Sequence, residues 1–294
     1  MRRAGFLIAS AAAGLLVALG YVYYAQPLCE VWCDAMHTLT VQGAAPAPFR
    51  FRLLATFLAE AMPGDARMGM ALAHFAVAPA VWVIGWLWLE REVGERQALV
   101  GVVLLAAMML IGYYMYGTAL YSLIELGLLA LGLLYLQGKS PSIGYALLVI
   151  VGTINRETTG LLLLMAAVSA QRHSKLALFA WISTMAALRV ALGLGTDGQN
   201  VLDILQANLS PSHMLPALLN HAALLPFVAL AALGWRSSPP AARRRLAIIG
   251  LPYAAAVLVF GYWDEVRLWL PIGLLALPMM VGGQNTISAK SGEG

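Results

Sequence analysis

Ten apolar runs occupy most of the chain: residues 6–24, 69–89, 97–116, 118–136, 144–154, 160–170, 176–194, 214–234, 246–262 and 267–282. Several reach the roughly 20 residues that an α-helix needs to cross about 30 Å of hydrocarbon. In lipid every backbone N–H and C=O must be satisfied within the segment, which favours helices. The predicted fold class is all-α: a polytopic transmembrane helical bundle of about eight full spans plus a broken hairpin, eight to ten segments in total. Residues 1–294 read as a single integral membrane domain.

Composition supports this. Hydrophobic residues make up 61% of the chain and charged residues 11%, whereas a soluble domain is about 25% charged. Soluble enzymes, nucleic-acid-binding modules and disordered chains are excluded. The net charge of +4 does not point to nucleic acid, because the basic residues sit in short clusters between apolar runs, as in cytoplasmic membrane loops.

Those clusters set the expected topology. Arg91 with Arg96, Lys139, Arg172 with Lys175, and Arg236 with Arg243, Arg244 and Arg245 can all be cytoplasmic on one condition. The stretch 142–171 must enter and return to the same side. As one straight helix it would be about 45 Å long, and it is interrupted by Asn155-Arg156-Glu157-Thr158-Thr159-Gly160. Two helices, 142–154 and 160–170, meeting at an outward-pointing polar corner, are predicted. The first run, preceded by Arg2 and Arg3 and ending in Tyr21, Tyr23 and Tyr24, reads as an uncleaved helix with a cytoplasmic N-terminus. The 25–68 segment is then an outer loop, 195–213 another, and 284–294 a flexible cytoplasmic tail. The expected location is the bacterial cytoplasmic (inner) membrane.

The outer side collects the ionisable residues. Glu30, Asp34, Arg50, Arg52, Glu60, Asp65 and Arg67 lie in the first loop; Arg156 and Glu157 form the corner; Asp264, Glu265 and Arg267 form the last outer turn. Glu125 lies inside an apolar run, one helical turn from Tyr121. Intramembrane charges persist when paired or when facing a wet cavity. Arg156 with Glu265, and Arg267 with Glu157, are the candidate ion pairs. Arginine also fits phosphate bidentately, and carboxylates serve as a general base or hold a divalent cation. Phe49-Arg50-Phe51-Arg52, followed by Leu53, Leu54, Phe57 and Leu58, reads as an amphipathic interfacial helix. Glu30 and Asp34 share one helical face, and Cys29 and Cys33 the next; the cysteines lie within disulfide range on a helix but make no four-ligand zinc site. Trp82, Trp86 and Trp88 read as a lipid-facing interfacial anchor.

The layout resembles small bacterial polytopic proteins related to the GT-C glycosyltransferases, which take sugars from polyprenyl-phosphate donors. The resemblance is carried by the long acidic first outer loop, Phe49-Arg50-Phe51-Arg52, Asn155-Arg156-Glu157-Thr158 and Glu265-Val266-Arg267 before a final apolar helix. Unlike the tight acidic pair usual in that family, Glu30 and Asp34 are separated by three residues. The resemblance implies that Asp34 or Glu30 is the catalytic base, or the ligand of a divalent cation, the only cofactor suggested. It implies that Arg156, with Arg52 or Arg267, binds the donor phosphate, while Glu157 and Glu265 hold those arginines. A membrane lipid, specifically a polyprenyl-phosphate lipid, is the expected ligand. Two other classes remain open: a non-catalytic subunit or scaffold with membrane-protein partners, and a transporter, for which the broken segment lacks a counterpart.

Overall fold

The computed structural model describes residues 2–28, 30–42, 44–45, 52–115, 120–138, 141–169, 171–193, 201–263 and 265–282. All the regular structure among them is helical. Five helices are long and apolar enough to cross a membrane: Arg3–Ala25, Ala66–Val93, Glu95–Tyr114, His173–Leu192 and Pro211–Gly234. Leu120–Leu136, Ser142–Asn155, Thr158–Ser169 and Val266–Gly282 are shorter apolar helices. The expected tail 284–294, Cys29, Phe49-Arg50-Phe51, Lys139 and Asp264 lie outside the described residues.

Helix α1 (Arg2–Gly20) runs on through a π-helical turn, Tyr21–Ala25. Two short helices follow, α2 (Glu30–Val41) and α3 (Leu53–Glu60), then the long α4 (Ala66–Val93). The start of α4 is fixed by Asp65, whose carboxylate accepts from Met68 N–H at 2.8 Å, satisfying one of the orphan donors of a helix N-terminus. Its end is fixed by Gly94 at φ 91°, a left-handed conformation that favours glycine. Helix α4 is the central post: α1, α3, α5 (Glu95–Met115) and α6 (Leu120–Leu136) all pack on it. At the crossing with α1 the backbones nearly touch, since a Cβ on Gly14 would stand 2.6 Å from the carbonyl oxygen of Ala78. Small residues at such crossings let membrane helices approach closely.

The position of α4 overturns one expectation. Trp82 and Trp86 are fully buried and Trp88 is nearly so, rather than facing lipid. Their rings fill the space between α4 and its neighbours, and the indole N–H groups of Trp82 and Trp86 donate to Val102 O (2.9 Å) and Glu95 O (3.3 Å). Hydropathy cannot distinguish a helix surrounded by helices from one surrounded by lipid. Helix α3 docks by its small side chains. Ala55, Thr56 and Ala59 form its buried face, while Phe57 is exposed. The small residues dock because a large side chain would keep α3 off α4: a Cβ on Gly69 would stand 2.4 Å from Ala59 O.

The chain then breaks. Helix α7 (Ser142–Asn155) ends at Arg156, whose φ of −167° and ψ of 140° are extended. A 3₁₀ turn, Glu157–Gly160, leads into α8 (Leu161–Ser169). The Tyr145 hydroxyl donates to Leu162 O at 2.8 Å, so the second arm folds back along the first. Helix α9 (Gln171–Leu192) packs against both arms, with His173 Nδ1 3.0 Å from Ser142 Oγ. The remaining helices are α10 (Val201–Leu209), α11 (Pro211–Gly234) and α12 (Pro240–Arg245), which continues through a π turn into α13 (Leu251–Phe260). A 3₁₀ turn, Val266–Trp269, opens α14 (Leu270–Gly282).

Polar side chains gather at both ends of the bundle. At one end Arg3 meets Glu90 at 2.8 Å, while Glu92 accepts from Arg245 at 2.6 Å and Gln137 at 2.7 Å. These contacts bring the start of α1, the α4–α5 turn, the end of α6 and the basic α12 together. At the other end lie Arg52, Tyr121, Arg156 and Arg267.

Candidate functional site

Tyr121 and Glu125 stand four residues apart in α6 and therefore on one helical face. Both are buried. Three guanidinium groups surround the Tyr121 ring: their Cζ atoms lie 4.6 Å (Arg52), 5.3 Å (Arg156) and 5.6 Å (Arg267) from its centroid. All three arginines are more than nine-tenths buried. Each comes from a different break in helical structure. Arg52 immediately precedes α3, Arg156 is the extended residue between α7 and the 3₁₀ turn, and Arg267 lies in the 3₁₀ turn before α14.

Carboxylates neutralise part of this charge. Arg156 Nη1 donates to Glu125 Oε2 at 2.8 Å, and the hydroxyl of Thr158 donates to the other oxygen of that carboxylate. Arg267 grips Glu265 with two donors, Nη2 at 2.8 Å and Nε at 3.2 Å, and donates through Nη1 to the Tyr121 hydroxyl. The observed pairs are therefore Arg156 with Glu125 and Arg267 with Glu265. In the expected pairing Arg156 took Glu265, but Glu265 is held two residues from Arg267 by its own turn.

The corner itself is closed by local hydrogen bonds. Asn155 Nδ2 donates to Tyr121 O at 2.8 Å, tying the end of α7 to the start of α6. Thr159 Oγ1 donates to Arg156 O at 2.5 Å. The other turn is clasped from α10: Asn208 Nδ2 donates to Gly261 O at 2.9 Å, and Trp263 N–H donates to Asn208 Oδ1 at 3.0 Å.

Two helix N-termini also open at this cluster, one at Arg156 and one at Glu265, and neither has a side-chain cap hydrogen bond. A helix N-terminus carries partial positive charge from its aligned peptide dipoles. Among the described side chains, then, three guanidinium groups and two helix starts face two carboxylates. Arginine presents planar donor forks suited to phosphate and carboxylate oxygens, so the chemistry of the arrangement suits an anion.

Of the residues expected to form the site, the structure brings Arg52, Arg156, Arg267 and Glu265 together. Glu30 and Asp34 lie on the backbone of α2, and Glu157 in the 3₁₀ turn, but their side chains are outside those described. Glu60, from the same first loop, lies 2.5 Å from His37 Nε2. Among the described residues no three His, Cys, Asp or Glu side chains converge to hold a metal ion. Tyr121, Glu125 and Thr158 were not expected in the site. The sequence does hold a signal for Glu125: a carboxylate inside an apolar run requires a cationic partner or a wet cavity.

No family model, curated protein or solved structure matches the chain.

Proposed function

We propose that this chain is an integral protein of the bacterial cytoplasmic membrane, of about eight full spans plus the hairpin α7–α8, and a GT-C-like glycosyltransferase using a lipid-phosphate-linked sugar. The observation that carries the reading is the convergence of Arg52, Arg156 and Arg267 on one ring at the mouths of two helices. Broken membrane helices that aim their N-termini at an anionic group are a recurring way to bind one.

In this reading the Arg3, Glu90, Glu92 and Arg245 end is cytoplasmic, where basic loops belong. The Tyr121 cluster lies at the outer side and receives the phosphate of a polyprenyl-phosphate donor. Arg52, Arg156 and Arg267 bind the phosphate oxygens, and Glu125 and Glu265 hold two of those arginines in place. Asp34 or Glu30, on α2, serves as the base that takes the acceptor's hydroxyl proton as the sugar is transferred. A divalent cation held by these carboxylates would stabilise the leaving phosphate.

One observation favours a second reading. Arg156 and Arg267 each already have a carboxylate at 2.8 Å, so the cluster can serve as the ion-paired core of a non-catalytic membrane subunit. Native mass spectrometry of the purified protein in lipid nanodiscs decides between them. Wild type should retain a polyprenyl phosphate but not the matching polyprenol, and Arg156→Ala should lose it. Transferase activity should disappear in Asp34→Ala and Glu30→Ala together. Unchanged lipid retention in Arg156→Ala and unchanged activity in the acidic variant would leave the scaffold.

A further inference from the structure

Three like charges do not gather spontaneously around one point in a poorly solvated site. Carboxylates offset part of their repulsion: among the described side chains, Glu125 serves Arg156 and Glu265 serves Arg267. Common to all three arginines is the ring of Tyr121, with every Cζ within 6 Å of its centroid, the range in which an aromatic quadrupole attracts a cation. The ring is itself fixed. Its residue's carbonyl is gripped by Asn155, and its hydroxyl oxygen accepts from Arg267 Nη1.

That last bond has a chemical consequence. A phenol is both donor and acceptor. With the oxygen accepting from Arg267, the O–H proton is left to donate elsewhere. Among the described residues no side chain or carbonyl oxygen accepts it, and the guanidinium groups beside it carry only donors. An anion lying among the three arginines is the acceptor that this geometry can serve.

We propose that Tyr121 is the positioning and specificity-determining residue of the site: its ring holds Arg52, Arg156 and Arg267 in register for one anion, and its hydroxyl donates to an oxygen of that anion. The inference rests on the anion-binding reading above, and it assigns the ring and the hydroxyl separate jobs. Tyr121→Phe removes the hydroxyl and keeps the ring. Tyr121→Leu removes both. Tyr121→Met is a second non-aromatic variant of greater flexibility, in case the leucine protein does not fold.

Two measurements on full-length protein in nanodiscs test it. The first is affinity for a polyprenyl phosphate, with inorganic phosphate as a lipid-free probe. Tyr121→Phe should weaken binding of both by about tenfold, the loss of one hydrogen bond to a charged group, and the non-aromatic variants by at least about tenfold more. The second needs no ligand: the rate at which phenylglyoxal modifies Arg52, Arg156 and Arg267, mapped by mass spectrometry. Reaction should be slow in wild type and Tyr121→Phe and fast at all three arginines in the non-aromatic variants. A lone structural role would lower melting temperature without this joint release. Equal phosphate affinity in wild type, Phe and Leu proteins, or release of Arg267 alone, overturns the inference. Failure of wild type to bind any phosphate overturns the anion reading instead, while the modification rates still score the ring's part.

Discussion

Neutralising one carboxylate at the cluster gives the most informative perturbation. Glu125→Gln keeps the shape of the side chain and removes its charge. Glu125 and Arg156 are both at least 97% buried and meet at 2.8 Å. At an effective dielectric of about 20, a pair of charges this close attracts by about 6 kcal/mol. Much of that offsets the desolvation of the two ions, and breaking a buried pair by removing one partner costs about 3–5 kcal/mol. For a chain of this size each kcal/mol moves the melting temperature by about 2–4 °C, so a fall of about 10 °C is expected. The same change makes the cluster more positive. The glutamine amide oxygen still accepts from Arg156 and keeps it placed, so phosphate affinity should rise as stability falls, and ligand at about 100 times Kd should restore about 2.7 kcal/mol. Thermal unfolding in nanodiscs, followed with and without polyprenyl phosphate, reads both effects. A variant that melts with wild type would refute the buried-pair argument. A destabilised variant that phosphate lipid does not rescue would refute the electrostatic account of the site.

Other perturbations address the framework. Asn208→Ala removes both hydrogen bonds that clasp the 261–263 turn and should cost about 1–3 kcal/mol, seen as a lower melting temperature and faster phenylglyoxal modification of Arg267. Gly14→Val forces apart the α1–α4 crossing at Ala78, where overpacking costs about 1–3 kcal/mol or more; a matched change at exposed Gly5, with open space around it, should leave the melting temperature unmoved. In a background lacking Cys29 and Cys33, Ser237→Cys and Gln206→Cys should react with a membrane-impermeant maleimide from opposite sides of the membrane; labelling of both from one side would refute the proposed topology.

The break at Arg156 was legible because a polar stretch inside an overlong apolar run has few places to go in a bundle, and the extended backbone at that residue falls inside the interruption. The helical fold class was legible for the related reason that apolar runs of span length admit little else. The burial of Trp82, Trp86 and Trp88 was not, since α4 is covered by four other helices, both adjacent and remote in sequence, and composition carries no record of which face they choose. Glu125 stood out in the sequence as a carboxylate inside an apolar run, but its pairing with Arg156 did not, because only the fold-back of the hairpin brings Glu125 and Tyr121, one turn into an apolar helix, to the corner. The dock of α3 was not legible either, because it is governed by the small side chains at Ala55 and Ala59 rather than by the large apolar ones.

The hairpin also constrains how such a chain can be built. Its arms hold 14 and 9 residues, about 21 and 14 Å of helix, each too short to be retained by a bilayer alone. Neither arm can be threaded and released into lipid as an independent stop-transfer element. In the proposed membrane arrangement, Ser142–Ser169 is held back until α9 has packed against both arms, so that Arg156 enters already paired with Glu125. Nascent chains stalled just beyond Ser169 should accordingly leave this segment open to protease, and chains released after Leu192 should not. Order of synthesis thereby becomes part of the information that specifies the corner.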